Sequence, residues 1–331
     1  MESFLFATGA VAPIILTIAL GYFLKRIGWI SASFAAAANK LVFRVFLPAM
    51  LFLNVYKIES IGGMDLGYMV YAVVSMLAVV LLSIPLVKAV TPKPERRGVL
   101  LQGVFRSNYA LIGIPLAQSL FGDDGVIVAT LLSAVIIPVF NILAVISLSL
   151  FRKTEGEKPK VSVVLGNILR NPLIQSIAVG VLVLAVRAVF VRQGIVFRLT
   201  DISPLYKVLT SLSNVATPLA LLVLGAQFEF SAIKEMRREI VFGTLMRTVV
   251  VPILGIGAAY VFFSSQFGGA HFAAFVAMFA TPVAVSSVPM AQEMDGDVPL
   301  AGQLVVWTTL ASAVSVFVMV LLLRMVGIFG A

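Results

Sequence analysis

Pro115-Leu116-Ala117-Gln118-Ser119-Leu120-Phe121-Gly122-Asp123 returns, altered, as Pro289-Met290-Ala291-Gln292-Glu293-Met294-Asp295-Gly296-Asp297. Pro, Ala, Gln, Gly and Asp coincide, and Leu faces Met twice, at an offset of 174 residues. A second pair, Pro13-Ile14-Ile15-Leu16-Thr17-Ile18-Ala19-Leu20-Gly21 and Pro172-Leu173-Ile174-Gln175-Ser176-Ile177-Ala178-Val179-Gly180, shares five of nine positions at an offset of 159. The offsets differ by 15, a difference that the segment around 192–207 absorbs. Apolar bias inflates matches between hydrophobic segments, and chance likeness is the alternative. Matched Pro, Gln, Gly and Asp are inflated less. Self-similarity at a fixed spacing is the mark of an internal repeat, and missing it misassigns the whole fold.

The medium in which the repeat folds follows from composition. The 331 residues are 60% hydrophobic and only 12% charged, against about 45–50% and about 25% in soluble domains. Mean hydropathy is +1.08. A soluble fold of this size leaves too much surface in water to hide so many apolar side chains. The expected fold class is therefore an all-α polytopic membrane protein. Disorder, a disulfide scaffold and a secreted enzyme are excluded. With no cysteine there is no thiol nucleophile and no Cys-based metal site, and a single histidine, His271, cannot form a His pair. The continuous apolar runs lack the alternation of an outer-membrane barrel.

A span needs about 20 mostly apolar residues. Ten segments qualify: 4–24, 35–56, 67–88, 98–121, 126–150, 171–191, 208–228, 240–262, 271–293 and 299–323. Turn-rich or charged stretches such as Gly122-Asp123-Asp124-Gly125 separate them. The first lacks a basic leader and a small-residue cleavage site, so it is expected to be retained as a helix. With the N-terminus outside, 18 of the 24 Lys and Arg fall on the inner side. Inner loops carry such an excess. The +9 net charge is thereby explained by topology, with no nucleic acid needed. Both termini are expected outside the cytoplasm, with the lipid bilayer of a bacterial inner (plasma) membrane around the chain.

Two units result, about 1–151 and 165–331, joined by a cytoplasmic linker, 152–164. Five spans per unit is odd, so the second unit enters the membrane from the opposite face. Such inverted repeats are typical of secondary transporters, with the substrate site near the midplane between the units.

The fourth and ninth spans carry the strongest helix breakers. One holds Ser107-Asn108-Tyr109 and Gly113-Ile114-Pro115; the other holds Thr281-Pro282 and Ser286-Ser287-Val288-Pro289. A mid-span proline removes a backbone hydrogen bond, and the residue before it is pushed out of helical geometry. Freed backbone groups at membrane depth are tolerated only inside protein or against a polar cavity. Broken helices leave N-terminal ends with free N–H donors and partial positive charge, which suits an anionic group such as a carboxylate. Arg106 and Arg247 agree in sign. A cation at membrane depth is usually functional or paired, and snorkelling to the inner interface is the other reading of both. The candidate substrate-binding residues are Arg106, Asn108, Gly113, Pro115, Arg247, Pro282, Ser286, Ser287 and Pro289. Pro13, Pro48, Pro85, Pro138, Pro172, Pro218 and Pro252 read as simple kinks.

These motifs resemble the auxin efflux carrier family. The most specific is Asn108-Tyr109-Ala110-Leu111-Ile112-Gly113-Ile114-Pro115-Leu116, similar to the family's Asn-x-x-x-x-Gly-(Ile/Leu)-Pro-Leu in its fourth helix. Leu47-Pro48-Ala49, Arg170-Asn171-Pro172, Leu224-Gly225 and Val288-Pro289 with Ala291 extend the likeness over nearly the whole chain. The resemblance implies ten helices in two inverted five-helix units, with helices four and nine crossing at Pro115 and Pro289 beside the substrate. The loop around 152–166 is short, so control through the long loop of plant members is not implied.

The function expected is a secondary carrier for a small organic anion. No P-loop is present for direct ATP drive. A sodium-coupled symporter of the bile-acid type is the alternative. An intramembrane enzyme would need a nucleophile–base pair that His271 and Asp123-Asp124 do not form. A channel would need a lining ring of charges. No cofactor is expected, the coupling ion (proton, sodium or none) is left open, and so is homodimerisation.

Overall fold

The computed structural model describes residues 2–58, 66–151 and 161–329. Residues 152–160 of the expected linker lie outside the described residues; 161–164 fall within a helix. Among the described residues there is no strand, only one isolated bridge between Ser107 and Val283.

Helix α1 is Glu2–Arg26, and its last turn carries Lys25 and Arg26, where cations complement the helix dipole. Ser31 caps α2, Ala32–Tyr56, by accepting the Phe34 N–H at 3.1 Å. Then follow α3, Leu66–Val90, and α4, Pro94–Phe105. The helical stretch Tyr109–Leu150 is a hairpin of α5 (109–120) and α6 (123–150). The reversal lies at Phe121 and Gly122, where φ is −138° and +56°. Only glycine takes the second value without strain. Across the hairpin, Gly125 packs on the Ala117 carbonyl, and the Tyr109 hydroxyl donates to the Ala129 carbonyl at 3.0 Å. The remaining helices are α7, Val161–Arg170; α8, Pro172–Arg192; α9, Ser203–Gln227; α10, Arg237–Phe263; α11, Gly269–Phe279; α12, Ser287–Glu293; and α13, Val298–Met325. Helix thus occupies every expected apolar segment, and among the described residues seven helical stretches are long and apolar enough to cross a bilayer. The outward faces are apolar, with Leu81, Leu82, Leu182, Phe262 and Val314 more than half exposed. A surface of this kind faces lipid.

Three prolines share one setting: Pro48 and Pro252, expected as simple kinks, and Pro115, expected at the site. Pro48, Pro115 and Pro252 each follow a π-helical turn: Val42–Phe46, Tyr109–Gly113 and Met246–Val250. The proline ring crowds the carbonyl one turn back and offers it no N–H. A wider turn just before the proline relieves both problems, and such turns recur at functional sites. Arg44 and Arg247 both sit in these turns.

The helices pack as two bodies. Helices α1, α2, α8 and α9 form a panel, in which α1 lies against α9 and α2 against α8 and α9. Helices α3 to α6 and α10 to α13 form a bundle. In the panel, a Cβ on Gly21 would strike the Leu222 carbonyl, and one on Gly225 would strike the Ile18 carbonyl. Small residues let membrane helices approach to backbone contact. Gly225→Val is therefore expected to cost about 1–3 kcal/mol by overpacking. The melting temperature of the purified protein reads this out, and an unchanged value would contradict the close packing.

Candidate functional site

The site is built where α4 and α11 stop short. After Phe105 the chain is extended at Arg106 (φ −81°, ψ 99°), and helix resumes at Tyr109. In the second break, Pro282 forces Thr281 out of helical geometry, and helix resumes at Ser287. The two extended segments run antiparallel. The Asn108 N–H donates to the Pro282 carbonyl at 2.8 Å, and the Ala284 N–H to the Arg106 carbonyl at 3.1 Å. The Val283 N–H is taken by the Thr308 hydroxyl at 3.0 Å. Each break thus supplies partners for backbone groups the other has freed, which apolar surroundings require.

The crossing point differs from the expectation. The segments meet at Ser107 and Val283, roughly two turns ahead of Pro115 and Pro289. Pro115 opens an α-helical run just past a π turn, a position where its missing N–H is no loss. Pro289 is buried within α12. The mutual backbone pairing, with Pro282 on one side alone, holds the breaks open.

Four half-helix ends converge here. The two C-terminal ends, of α4 and α11, point at Arg247, which is fully buried. Its Nε donates to the Thr281 carbonyl and its Nη2 to the Met278 carbonyl, both at 2.8 Å. Its Nη1 donates to Phe105 at 3.0 Å and Val104 at 3.4 Å. The N-terminal ends, at Asn108 and Ser286, border a small cavity of about 60 Å³. Arg106, Ser107, Asn108, Asn141, Ala284 and Ser286 line its bundle side, and Leu47, Met50, Asn54 and Leu173 its panel side. Arg106 is only 3% exposed. Its Nη2 donates to Asn141 Oδ1 at 2.7 Å, and its Nη1 lies on the Met290 sulfur. No carboxylate pairs with it among the described residues. The Asn108 side chain makes no hydrogen bond among the described residues, and Ser107 Oγ, Ser287 Oγ and Gln102 Oε1 are buried without a partner.

The nine expected site residues therefore separate. Arg106, Asn108 and Ser286 come together on the cavity. Pro282 joins the crossing through its carbonyl, and Ser287 is buried beside it, where its carbonyl accepts from Gln102 Nε2 at 3.3 Å. Gly113 is a packing residue, since a Cβ there would sit 3.1 Å from Ala277. Pro115 faces a different cavity, and Arg247 is sealed behind the crossing. Neither arginine snorkels. Sequence reasoning missed Asn54 and Asn141, although a lone amide inside an apolar run is itself a signal.

A larger open cavity of about 790 Å³ adjoins the small one through Met50, Asn54 and Ala110, and Thr17, Lys57, Pro115 and Asn214 help line it. At the opposite end another open cavity, of about 360 Å³, is lined by Phe43, Arg44, Asn171, Glu293 and Met294, and side-chain contacts bridge panel and bundle beside it. There Asn39 Nδ2 donates to Gln227 Oε1 at 2.9 Å and to Gln292 Oε1 at 2.7 Å, while Arg44 pairs with Glu293 at 3.1 Å. These contacts latch α12 of the bundle to α2 and α9 of the panel. Nearby, Arg96 joins α4 to Glu235, Glu239 and Asp297.

The model of a family described as "Membrane transport protein" matches residues 6–320. An "Uncharacterized transporter" of Methanothermobacter thermautotrophicus is 24% identical over 320 residues, covering 94% of this chain and 97% of its own.

Proposed function

Because the chain belongs to the membrane transport protein family, the auxin efflux carrier-like group whose motifs it carries, we propose that it is a secondary carrier for a small organic anion, a carboxylate, working by alternating access. It is an integral, multi-pass membrane protein. The observation that carries the anion reading is Arg106: a buried guanidinium on a small cavity, with no carboxylate among the described residues to pair it. A buried cation without a counter-ion is costly, and an anionic ligand between Arg106, Asn108 and the N-terminal ends of α5 and α12 supplies one.

In this reading the ten segments form two inverted units, 1–151 and 165–331, and the antiparallel pairing of the breaks supports that symmetry. The anion enters through the 790 Å³ cavity. The cavity has a volume of about 60 Å³, the room of about two waters and less than an organic anion needs, so loading it moves the panel away from the bundle. Rocking the panel further parts Asn39 from Gln292 and opens the other side. Both termini lie outside the cytoplasm of a bacterial inner membrane. Cysteines added to this Cys-free chain test the orientation: one at Asp123 labels from outside and one at Glu155, outside the described residues, from the cytoplasm. The reverse pattern contradicts it.

The function is tested by thermal shift of the purified protein with mono- and dicarboxylates, amino acids and indole acids, with and without sodium and across pH. A true ligand raises the melting temperature with concentration. No stabilisation by any organic anion would contradict the reading. Asn108→Ala removes two donors and an acceptor and is expected to weaken binding by about 1–3 kcal/mol with folding intact. Equal affinity in variant and parent would remove Asn108 from the site.

A further inference from the structure

The two arginines at the crossing differ in what they face, and the difference assigns a site. Each helix C-terminus carries roughly half a negative charge, so the ends of α4 and α11 together present about one. Their carbonyls form a cup of backbone oxygens on Val104, Phe105, Met278 and Thr281. Oxygen cups at broken-helix C-termini are what coordinate small cations in membrane carriers.

We propose that this cup is a monovalent-cation site whose resident occupant is the chain's own Arg247. The geometry supports a built site over incidental contact. All three guanidinium nitrogens donate, two of them at 2.8 Å, and they reach both helix ends at once. The side chain has no exposed surface, and no carboxylate among the described residues competes for it. The π turn Met246–Val250 that Pro252 induces carries the residue. A tethered cation cannot leave with each cycle, so this position carries no exchangeable coupling ion. That corollary rests on the carrier reading; the site itself does not.

The test uses stability rather than transport, so its outcome is independent of whether the chain is a carrier. Arg247→Lys keeps one positive charge in the cup, whereas Arg247→Met keeps the bulk and removes the charge. The Lys variant is expected to melt several degrees above the Met variant. Arg247→Ala opens room in the cup, and millimolar guanidinium chloride is expected to raise its melting temperature, where choline chloride does not and the parent does not respond. A Met variant as stable as the Lys variant would overturn the proposal. So would an Ala variant that melts like the parent, or one that folds yet ignores guanidinium. Where the Ala variant does not fold, the Lys–Met pair decides.

Discussion

Arg106→Gln is expected to weaken carboxylate binding by about 30-fold or more while leaving the protein as stable as before, or more so. The guanidinium is buried and holds only an amide oxygen and a methionine sulfur. With no carboxylate partner among the described residues, it carries a desolvation cost with little return. Glutamine keeps a donor and removes that cost. A carboxylate bound as proposed, by contrast, loses the buried charge that faces it. Truncating one side of a buried charge pair costs about 2–5 kcal/mol, roughly a 30- to several-thousand-fold weaker affinity. Ligand-induced thermal shift and the ligand-free melting temperature, measured together, check both halves. An Arg106→Gln variant that melts far lower would make Arg106 structural. One that binds normally would remove it from the site.

Arg96→Ala is expected to act in the opposite way, with a large loss of stability. Arg96 donates to Asp297 at 2.8 Å, Glu239 at 3.2 Å and Glu235 at 2.6 Å, tying α4 to α10 and α13. The side chains of Glu239 and Asp297 are 8% and 12% exposed, so truncation strands two nearly buried charges. Breaking such a pair typically costs about 3–5 kcal/mol. Glu235 is open to water and adds little. Lys93 and Arg96 hold its carboxyl below the usual range. The folded pKa being the lower one, that contribution is complete above the ordinary carboxylate pKa and fades as acid titrates the folded state. Melting temperature of Arg96→Ala at neutral pH checks the main effect, and a shift of under a degree would contradict the clamp.

The sequence made the fold legible through two kinds of signal. Apolar runs located the helices, and the Pro, Gln, Gly and Asp shared by two distant segments singled out the two interrupted ones. Three residues of the cavity were legible: Arg106 and Asn108 because charge and amide are rare at that depth, and Ser286 because it sits just ahead of a mid-span proline. Other features were hidden for physical reasons. A mid-span arginine reads the same whether it awaits an anion or neutralises helix ends, so Arg106 and Arg247 looked alike. Which carbonyls surround each one is decided by packing. The first break has no proline of its own; it is held open by backbone pairing with a segment far along the chain, so the crossing was displaced toward Pro115 and Pro289. A proline announces a lost hydrogen bond but not whether the helix bends or widens, and that hid the π turns. Asn54 and Asn141 were single polar residues in apolar runs, and only their convergence on one cavity gives them meaning.

The most direct measurement is counterflow in proteoliposomes. Purified protein is reconstituted, the vesicles are loaded with a carboxylate that stabilises it, and uptake of the labelled compound is followed without an imposed gradient. The expected result is saturable, transient accumulation that depends on the internal carboxylate and vanishes in Arg106→Gln. Flux that rises linearly with concentration, without counterflow, or that persists in Arg106→Gln would contradict a carrier built on the crossing of the two broken helices.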